Sequence, residues 1–472
     1  MGGFFLINRK IGKENLPFFK ERDAVKDIKD FIESDDCLKG RVLILYGIWR
    51  TGKTTMMEQV LHSYSGKENY VFIEAEDGDT MRDIKERLLL EEENGVSIVF
   101  FDEITKVSNF QSNSSVIPDV FAKDGMRIVL TGTDSLGFQM AANTELFGRI
   151  RRISTTHIPF TEHCRVFDTN DIDDYIEYGG LMCRGKEDGS VNDYISALRY
   201  LESAVSKNIC NSIKKSFRNS HISTLDDREI QYIIEKMVEK YSCALNEKDN
   251  IIEDFVKEIN AAEDLTHKIT TAMVRELERY LMDMDVLSVT SSVDYIYCDD
   301  LGWQEMEPQN EYYIVQPAIR FNHLKKMCSS EEKIKGDMAK QIILFDMMHE
   351  LKDTQYRICK PSFYENKDKL GEYDMLIYDT LSDKYWAFEI NYTTAPYYNQ
   401  HKHLNNEFIR EIIDRNYGSR ENAAVLYRGA SCEDSNDGSL YLNITDFMLA
   451  VEKHHDMDKA MSELDLKIIK KT

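Results

Sequence analysis

The sequence predicts an α/β fold built on a parallel sheet, and three observations carry that expectation. Four short apolar runs, near 41–46, 70–74, 97–101 and 127–131, alternate with stretches of helical periodicity, as strand–helix–strand crossovers require. The first run leads into Gly47-Ile48-Trp49-Arg50-Thr51-Gly52-Lys53-Thr54, which fits G-x-x-x-x-G-K-[ST] and sits between a strand and a helix. The third run ends in adjacent carboxylates, Asp102-Glu103.

Ahead of the first strand, the spacing predicts a helix over 23–32 with Ala24, Val25, Ile28, Phe31 and Ile32 on one face. In the glycine-rich loop, two glycines let backbone N–H groups curl around a β-phosphate. Lys53 reaches the β/γ oxygens, and Thr54 offers its hydroxyl to Mg²⁺ at the start of a helix whose dipole favours the anion. These eight residues and Thr55 form the expected nucleotide-binding set, and the expected ligand is ATP with Mg²⁺. Asp102 is expected to hold the metal through its water shell, and Glu103, facing the other way, to polarise the water that attacks the γ-phosphate.

The fourth run ends in Thr131-Gly132-Thr133-Asp134-Ser135. That places Thr131 or Thr133 beside the γ-phosphate as a sensor; an ordinary polar turn is the competing reading. The basic cluster Arg149, Arg151 and Arg152 offers a finger for the transition-state charge, Arg149 first among them in its Gly-Arg pair. A surface charge run is the commoner use of such residues.

The order of these parts resembles bacterial and archaeal AAA-type ATPases, close to the STAND branch, that carry a C-terminal domain similar to PD-(D/E)xK nucleases. The residues that carry the likeness are Phe19-Lys-Glu-Arg22-Asp, the run 47–54, Phe101-Asp-Glu-Ile104, Leu130-Thr-Gly-Thr-Asp-Ser135, Gly148-Arg149, Ile158-Pro-Phe-Thr-Glu162 and Tyr175-Ile-Glu-Tyr-Gly-Gly-Leu181. It spans nearly the whole chain. It implies a P-loop ATPase domain of the additional-strand, catalytic-glutamate type over 1–182, a helical and winged-helix lid over 183–330, and a nuclease-like α/β domain over 331–472.

The residues of the later segments fit that order. The polar stretch 184–190 reads as a loop, and 192–285 is almost wholly helical, with Ile230, Ile233, Ile234, Met237 and Val238 on one face of a helix over 226–241. A helix over 270–283, followed by strands within 286–315, resembles a winged helix-turn-helix. Its expected exposed face, Arg275, Glu276, Glu278, Arg279 and Asp283, is a balanced mixture rather than a basic one, which favours a protein-contact lid over a DNA reader.

After a helix over 332–352, strands near 356–359, 373–378 and 385–391 place Asp374 and Glu389 at the acidic positions of a PD-(D/E)xK site. There the acidic pair binds Mg²⁺ and a lysine polarises the water. In this chain Asn391 stands at the lysine position, and Lys340 where the helix usually supplies another acid. A neutral amide supplies no charge to the phosphate. Asp374 and Glu389 are therefore a candidate vestigial metal site, Lys402 is the candidate migrated lysine, and the domain is expected to bind a partner rather than cut.

Composition agrees. The net charge of −24, from 59 basic and 83 acidic residues, excludes a protein that coats nucleic acid by whole-surface attraction. The basic groups Lys207, Lys214, Lys215 and Arg218, and Lys325 with Lys326, read as solvated helix faces. No apolar run reaches the roughly 18 residues that span a bilayer. The nine cysteines lie singly with no C-x-x-C, which points to reduced thiols and a cytoplasmic location without membrane attachment. The expected function is an ATP-binding and ATP-hydrolysing switch with a protein partner or DNA at its later domains. An ATP-gated metal-dependent nuclease and a non-hydrolysing nucleotide-regulated binding protein are the alternatives.

Overall fold

A computed structural model of the chain describes residues 7–8, 20–36, 39–64, 69–183, 190–216, 220–243, 251–262, 265–328, 330–365, 368–396, 401–436 and 438–469. Phe19, the segment 184–189, the side chain of Lys215 and Arg218 lie outside the described residues.

Two sheets organise the chain. The first contains β1 (Ile7–Asn8), β2 (Val42–Tyr46), β3 (Tyr70–Glu74), β4 (Ile98–Asp102), β5 (Arg127–Gly132) and β6 (Ile150–Ser154), in spatial order β1-β3-β4-β5-β2-β6. Strands β2 to β6 are parallel, and β1 adds antiparallel to β3. The central strands are apolar throughout because both faces are covered. Leu43, Leu45, Phe72 and Phe100 pack with Val25, Phe31, Met57 and Leu61 on one side, whereas Val42, Ile44, Val99 and Phe101 pack with Ile84, Leu88 and Phe121 on the other. The helix Asp23–Glu33 buries Ala24, Val25, Ile28, Phe31 and Ile32, the five residues its periodicity selects.

β5 lies between β2 and β4, so the carboxyl ends of all three strands open on one edge. In open parallel sheets that edge is where ligands bind.

Helices Tyr194–Tyr200, Lys207–Ser216, Asp227–Cys243, Ile251–Ala261 and Thr271–Asp283 share a second core, into which the first sheet sends Ile48 and Leu136. A π-helical segment, Leu201–Ser206, joins the first two. Where a winged helix was expected, Thr271–Asp283 is followed by β7 (Leu287–Cys298), β8 (Gly302–Glu305) and β9 (Gln309–Ile314), with β7 and β9 antiparallel. Glu276 and Glu278 are not on an exposed face. Glu276 accepts from His221 N at 2.7 Å and from the Tyr280 hydroxyl at 2.6 Å, and Glu278 accepts from the Tyr241 hydroxyl. Both carboxylates are buried because the helical core needs acceptors there.

The second sheet continues from β7–β9 through β10 (Tyr356–Glu365), β11 (Asp368–Glu372), β12 (Met375–Asp379), β13 (Lys384–Ile390), β14 (Ser419–Tyr427), β15 (Cys432–Asp434), β16 (Leu440–Asn443) and β17 (Lys467–Ile469). The division expected near 330 does not divide this sheet. β7 is long enough to pair β9 through Leu287–Ser292 and then to run parallel to β10 through Ser292–Tyr297. On β13, Trp386, Phe388 and Ile390 face a core built on the helices Glu331–Glu350 and Ile444–His454. Tyr385 and Ala387 face the helix Glu407–Tyr417 on the other side.

The described cysteines are all free. No helix among the described residues is long and apolar enough to cross a membrane. The basic residues expected as solvated faces are matched by acids: Lys207 pairs with Glu202, Lys214 with Asp227 and Lys325 with Glu331.

Candidate nucleotide site

The loop between β2 and the helix Lys53–Tyr64 curls because two glycines permit it. A Cβ on Gly47 would lie 2.5 Å from Thr155 Oγ1, and Gly52 adopts φ +83°, the left-handed region that side chains disfavour. Lys53 folds back, its Nζ donating to the carbonyls of Gly47 at 2.8 Å and Ile48 at 2.9 Å. Burial pushes its ammonium down to about 8, against the pull of Glu103 and Asp102. The Thr54 hydroxyl donates to Asp102 Oδ2 at 2.8 Å, and the Thr131 hydroxyl to Asp102 Oδ1 at 2.7 Å. Thr54 and Asp102 thus offer adjacent oxygens of the kind a hard divalent cation takes. Thr55 is half-buried on the first turn of the helix.

Glu103 follows β4 at φ +53°, and its Oε2 accepts from the Thr133 hydroxyl at 3.1 Å. Thr131 and Thr133 are two apart at the end of β5, so their side chains share a direction. Each holds one carboxylate. The sequence left the choice between these threonines open, and in the fold both hydroxyls face the carboxylate pair.

The remaining loop residues tie the site to the helical segment. Ile48 is buried in the helical core, the Trp49 carbonyl accepts from the Tyr200 hydroxyl at 2.6 Å, and the Arg50 carbonyl accepts from Met182 N at 2.8 Å. The Trp49 ring itself is 43 % exposed.

Sequence reasoning missed the clamp beneath the loop. Arg22 is buried, and its Nη1 donates to the carbonyls of Thr51 at 2.7 Å and Thr155 at 3.0 Å. Its Nε and Nη2 reach the two oxygens of Glu162 at 2.9 and 2.8 Å. Burial works against the Glu162 carboxylate, but Arg22 outweighs it and holds the pKa below the usual value. The helix Phe160–Phe167 that carries Glu162 also meets the second sheet's helix Glu331–Glu350: Asp346 accepts from Phe160 N, and Glu350 from the Thr161 hydroxyl. Both partners stand in segments that carry the likeness, Phe19-Lys-Glu-Arg22-Asp and Ile158-Pro-Phe-Thr-Glu162, but nothing in the sequence pairs them.

Arg149, Arg151 and Arg152 do not reach this edge. The Arg149 carbonyl accepts from Val42 N at the start of β2, and Arg152 pairs in register with Ile44. The phosphate loop begins after Tyr46, roughly 15 Å further along the strand at ~3.3 Å per residue. Arg149 instead pairs with Asp119 at 3.0 Å, and Arg152 with Gln139 at 2.8 Å. Arg149, just before β6, thus stands at the amino edge of the sheet, and Arg151 and Arg152 lie within the strand, level with Leu43 and Ile44.

The second sheet gathers the other acidic residues. Asp374 and Glu389 are buried together where β12 begins and β13 ends, and Asp374 Oδ2 accepts from Ile390 N at 2.8 Å. Burial and the neighbouring Asp374 charge push Glu389 up to about 10. The lysine that arrives is not Lys402, which lies exposed in the turn before the helix Glu407–Tyr417, but Lys340. Its Nζ donates to Asp374 Oδ1 at 2.8 Å. Desolvation disfavours its ammonium, yet the Asp374 and Glu389 carboxylates hold the pKa above the usual lysine value. Among the described residues no group of three or more His, Cys, Asp or Glu could hold a metal ion. Burial thus keeps the proton on Glu389 at neutral pH, and the Lys340 ammonium stands against Asp374 where a metal cation would have to sit.

With this geometry in place, a family model described as an AAA domain matches residues 39–164. Over that segment the chain is similar to AAA domains. The match takes in the glycine loop, both carboxylates and the threonine-bearing strand β5. Solved structures with likeness to the chain include Hsp104 of S. cerevisiae as an ADP complex, 14 % identical with TM-score 0.24, covering 59 % of this chain and 39 % of that one. ORC2 of Aeropyrum pernix, in ADPNP–ADP complexes, is 10 % identical with TM-score 0.33, covering 66 % of this chain and 100 % of that one. PCH-2 of C. elegans is 10 % identical with TM-score 0.22, covering 55 % of this chain and 68 % of that one. The chain thus spans well under half the length of Hsp104. Comparison with curated proteins gives no match.

Proposed function

We propose that the chain is an ATP-binding and ATP-hydrolysing switch, with residues 1–182 as its ATPase domain, 183–330 as a helical and winged-helix lid, and 331–472 as a nuclease-like domain that binds a partner. The observation that supports this most is the convergence of Lys53, Thr54, Asp102 and Glu103 at the carboxyl edge of one parallel sheet, with Thr131 and Thr133 on the two carboxylates. Lys53 exchanges the Gly47 and Ile48 carbonyls for phosphate oxygens. Thr54 and Asp102 supply the oxygens around Mg²⁺, which neutralises charge on the β- and γ-phosphates when bound. Glu103 accepts a proton from the water that attacks the γ-phosphorus, and the bond to the β–γ bridging oxygen breaks to give ADP and phosphate.

Phosphate release from MgATP tests this directly. Glu103→Gln is expected to bind ATP as the wild type does and to turn it over about 10²- to 10⁴-fold more slowly, the usual contribution of a general base. Wild-type protein that binds ATP but releases no phosphate reduces the reading to a nucleotide-regulated binding protein.

Because Arg149 sits at the amino edge of the sheet, its role as a finger falls to a second copy of the chain. Lys53→Ala keeps that arginine, and Arg149→Ala keeps the phosphate loop. Mixing the two is expected to give more turnover than either alone, by about 10-fold or more given the size of finger effects. No recovery on mixing returns Arg149 to its pairing with Asp119.

For residues 331–472, a metal-dependent nuclease is the second reading. One observation favours it: Lys340 brings an ammonium to Asp374. We nevertheless expect no cleavage of DNA or RNA with Mg²⁺ or Mn²⁺, with or without ATP, because Glu389 holds its proton and Asn391 supplies no charge. Asn391→Lys restores the lysine of the E-x-K pair; weak metal-dependent nicking by that variant would show that the site lacks only this residue. Cleavage by the wild type that disappears in both Asp374→Ala and Lys340→Ala would replace partner binding with catalysis.

A further inference from the structure

We propose that the lid residue Asn208 sets the position of the Glu103 carboxylate through Thr133, making Thr133 and Asn208 positioning residues for hydrolysis. The inference rests on the ATPase reading above and adds to it the route by which the lid governs turnover.

Glu103 leaves β4 in the left-handed region, where a residue with a Cβ pays strain, so its backbone aims the side chain away from the strand direction. Its Oε2 accepts from both the hydroxyl and the N–H of Thr133, at 3.1 and 3.4 Å. One oxygen is thereby anchored and the other is left for a water. A glutamate with three rotatable bonds gains most from such an anchor, since general-base efficiency falls steeply with misplacement.

The anchor is held in turn from the lid. Asn208, on the helix Lys207–Ser216, donates its amide to the Thr133 carbonyl at 3.1 Å and to the Ala204 carbonyl at 2.8 Å. One turn further on, Ser212 donates to Asp134 Oδ1, and that carboxylate caps the helix Ser135–Ala142 by accepting from Gly137 N at 2.7 Å. Residues four apart share one face of a helix. The lid helix therefore grips both halves of the Thr133–Asp134 segment. It enters this contact directly from the π-helical stretch Leu201–Ser206, and π-helical insertions recur where a helix must present side chains in a special register.

Tyr200, at the other end of that stretch, holds the phosphate loop at Trp49. A lid that shifts when the loop fills with nucleotide moves Asn208 with it. Glu103 follows through one carbonyl and one hydroxyl.

The test is steady-state ATP hydrolysis by the full-length chain, with ATP affinity measured separately by calorimetry. Thr133→Val keeps the shape and deletes the hydroxyl; it is expected to lower kcat about 10- to 100-fold, part of a general base's contribution, with KM unchanged. Thr133→Ser restores most of the rate. Asn208→Ala lowers kcat in the same direction by a smaller factor, and in the Thr133→Val background its effect shrinks, because only the longer Thr133 N–H contact still links the lid to Glu103. A Thr133→Val protein that turns over at the wild-type rate overturns the proposal, as does an Asn208→Ala effect of equal size in both backgrounds. A wild type that binds but does not hydrolyse ATP overturns the ATPase reading itself, so the two failures are distinct.

Discussion

Lys53→Ala is expected to remove ATP binding at ordinary nucleotide concentrations. The Lys53 ammonium is the buried cation of the loop, and in the free protein it spends its hydrogen bonds on the carbonyls of Gly47 and Ile48. Truncating one partner of a buried charge pair costs about 2–5 kcal/mol, or roughly 30- to 5,000-fold in affinity. The pH dependence identifies the group responsible. Burial holds the free lysine at about 8, and phosphate oxygens raise it in the complex, so binding takes up a proton above that pH. Wild-type affinity is therefore full below pH 8 and falls by up to tenfold per pH unit as pH rises through it. Lys53→Met keeps the apolar stem without the charge and loses both the affinity and the pH slope. Calorimetry that gives equal affinity for wild type and Lys53→Ala would remove the glycine loop from the site.

The parts that were legible in the sequence are those in which the signal and its structural partner are close along the chain. The helix Asp23–Glu33 and the helix Asp227–Cys243 each bury the residues that a 3.6-residue period selects, because one face against one core decides both. The loop 47–54 sits between a strand and a helix for the same reason. Residues that act across long separations were not legible. Arg22 meets Glu162 over 140 positions, and Glu276 and Glu278 read as surface charges until their partners His221 and Tyr241 arrive from other elements. Lys340 counted as a loss at an acidic position, whereas the fold carries it to Asp374 on another element. The placing of Arg149 could have been read from the order of elements: it precedes a parallel strand, the glycine loop follows one, and those are opposite ends of a sheet.

Arg22→Ala is expected to destabilise the chain by about 3–5 kcal/mol, the cost of leaving one member of a buried ion pair without the other. The side chains of Arg22 and Glu162 are 4 % and 3 % exposed, so water does not take over the lost contacts. The variant also strips a donor from the carbonyls of Thr51, Thr155 and His157. The sign of the pH dependence separates this clamp from simple loss of packing. In the wild type the Glu162 pKa lies below its unfolded value, so its stabilisation is present above that value and is lost as pH falls through the folded pKa. In Arg22→Ala the same buried carboxylate keeps only the Asp23 N–H and the charge of Arg165 against its desolvation, so its pKa is expected to rise above the unfolded value and the variant to recover stability as the pH falls from 7 towards 5. The gap between the two melting temperatures should therefore narrow on acidification. Arg22→Met with Glu162→Leu removes both charges and is expected to regain much of the lost stability. If the double variant melts close to the wild type but binds ATP more weakly, the ion pair is there to hold Thr51 and the phosphate loop in place. A double variant with wild-type ATP affinity would confine Arg22 to stability and leave the loop's shape to its two glycines.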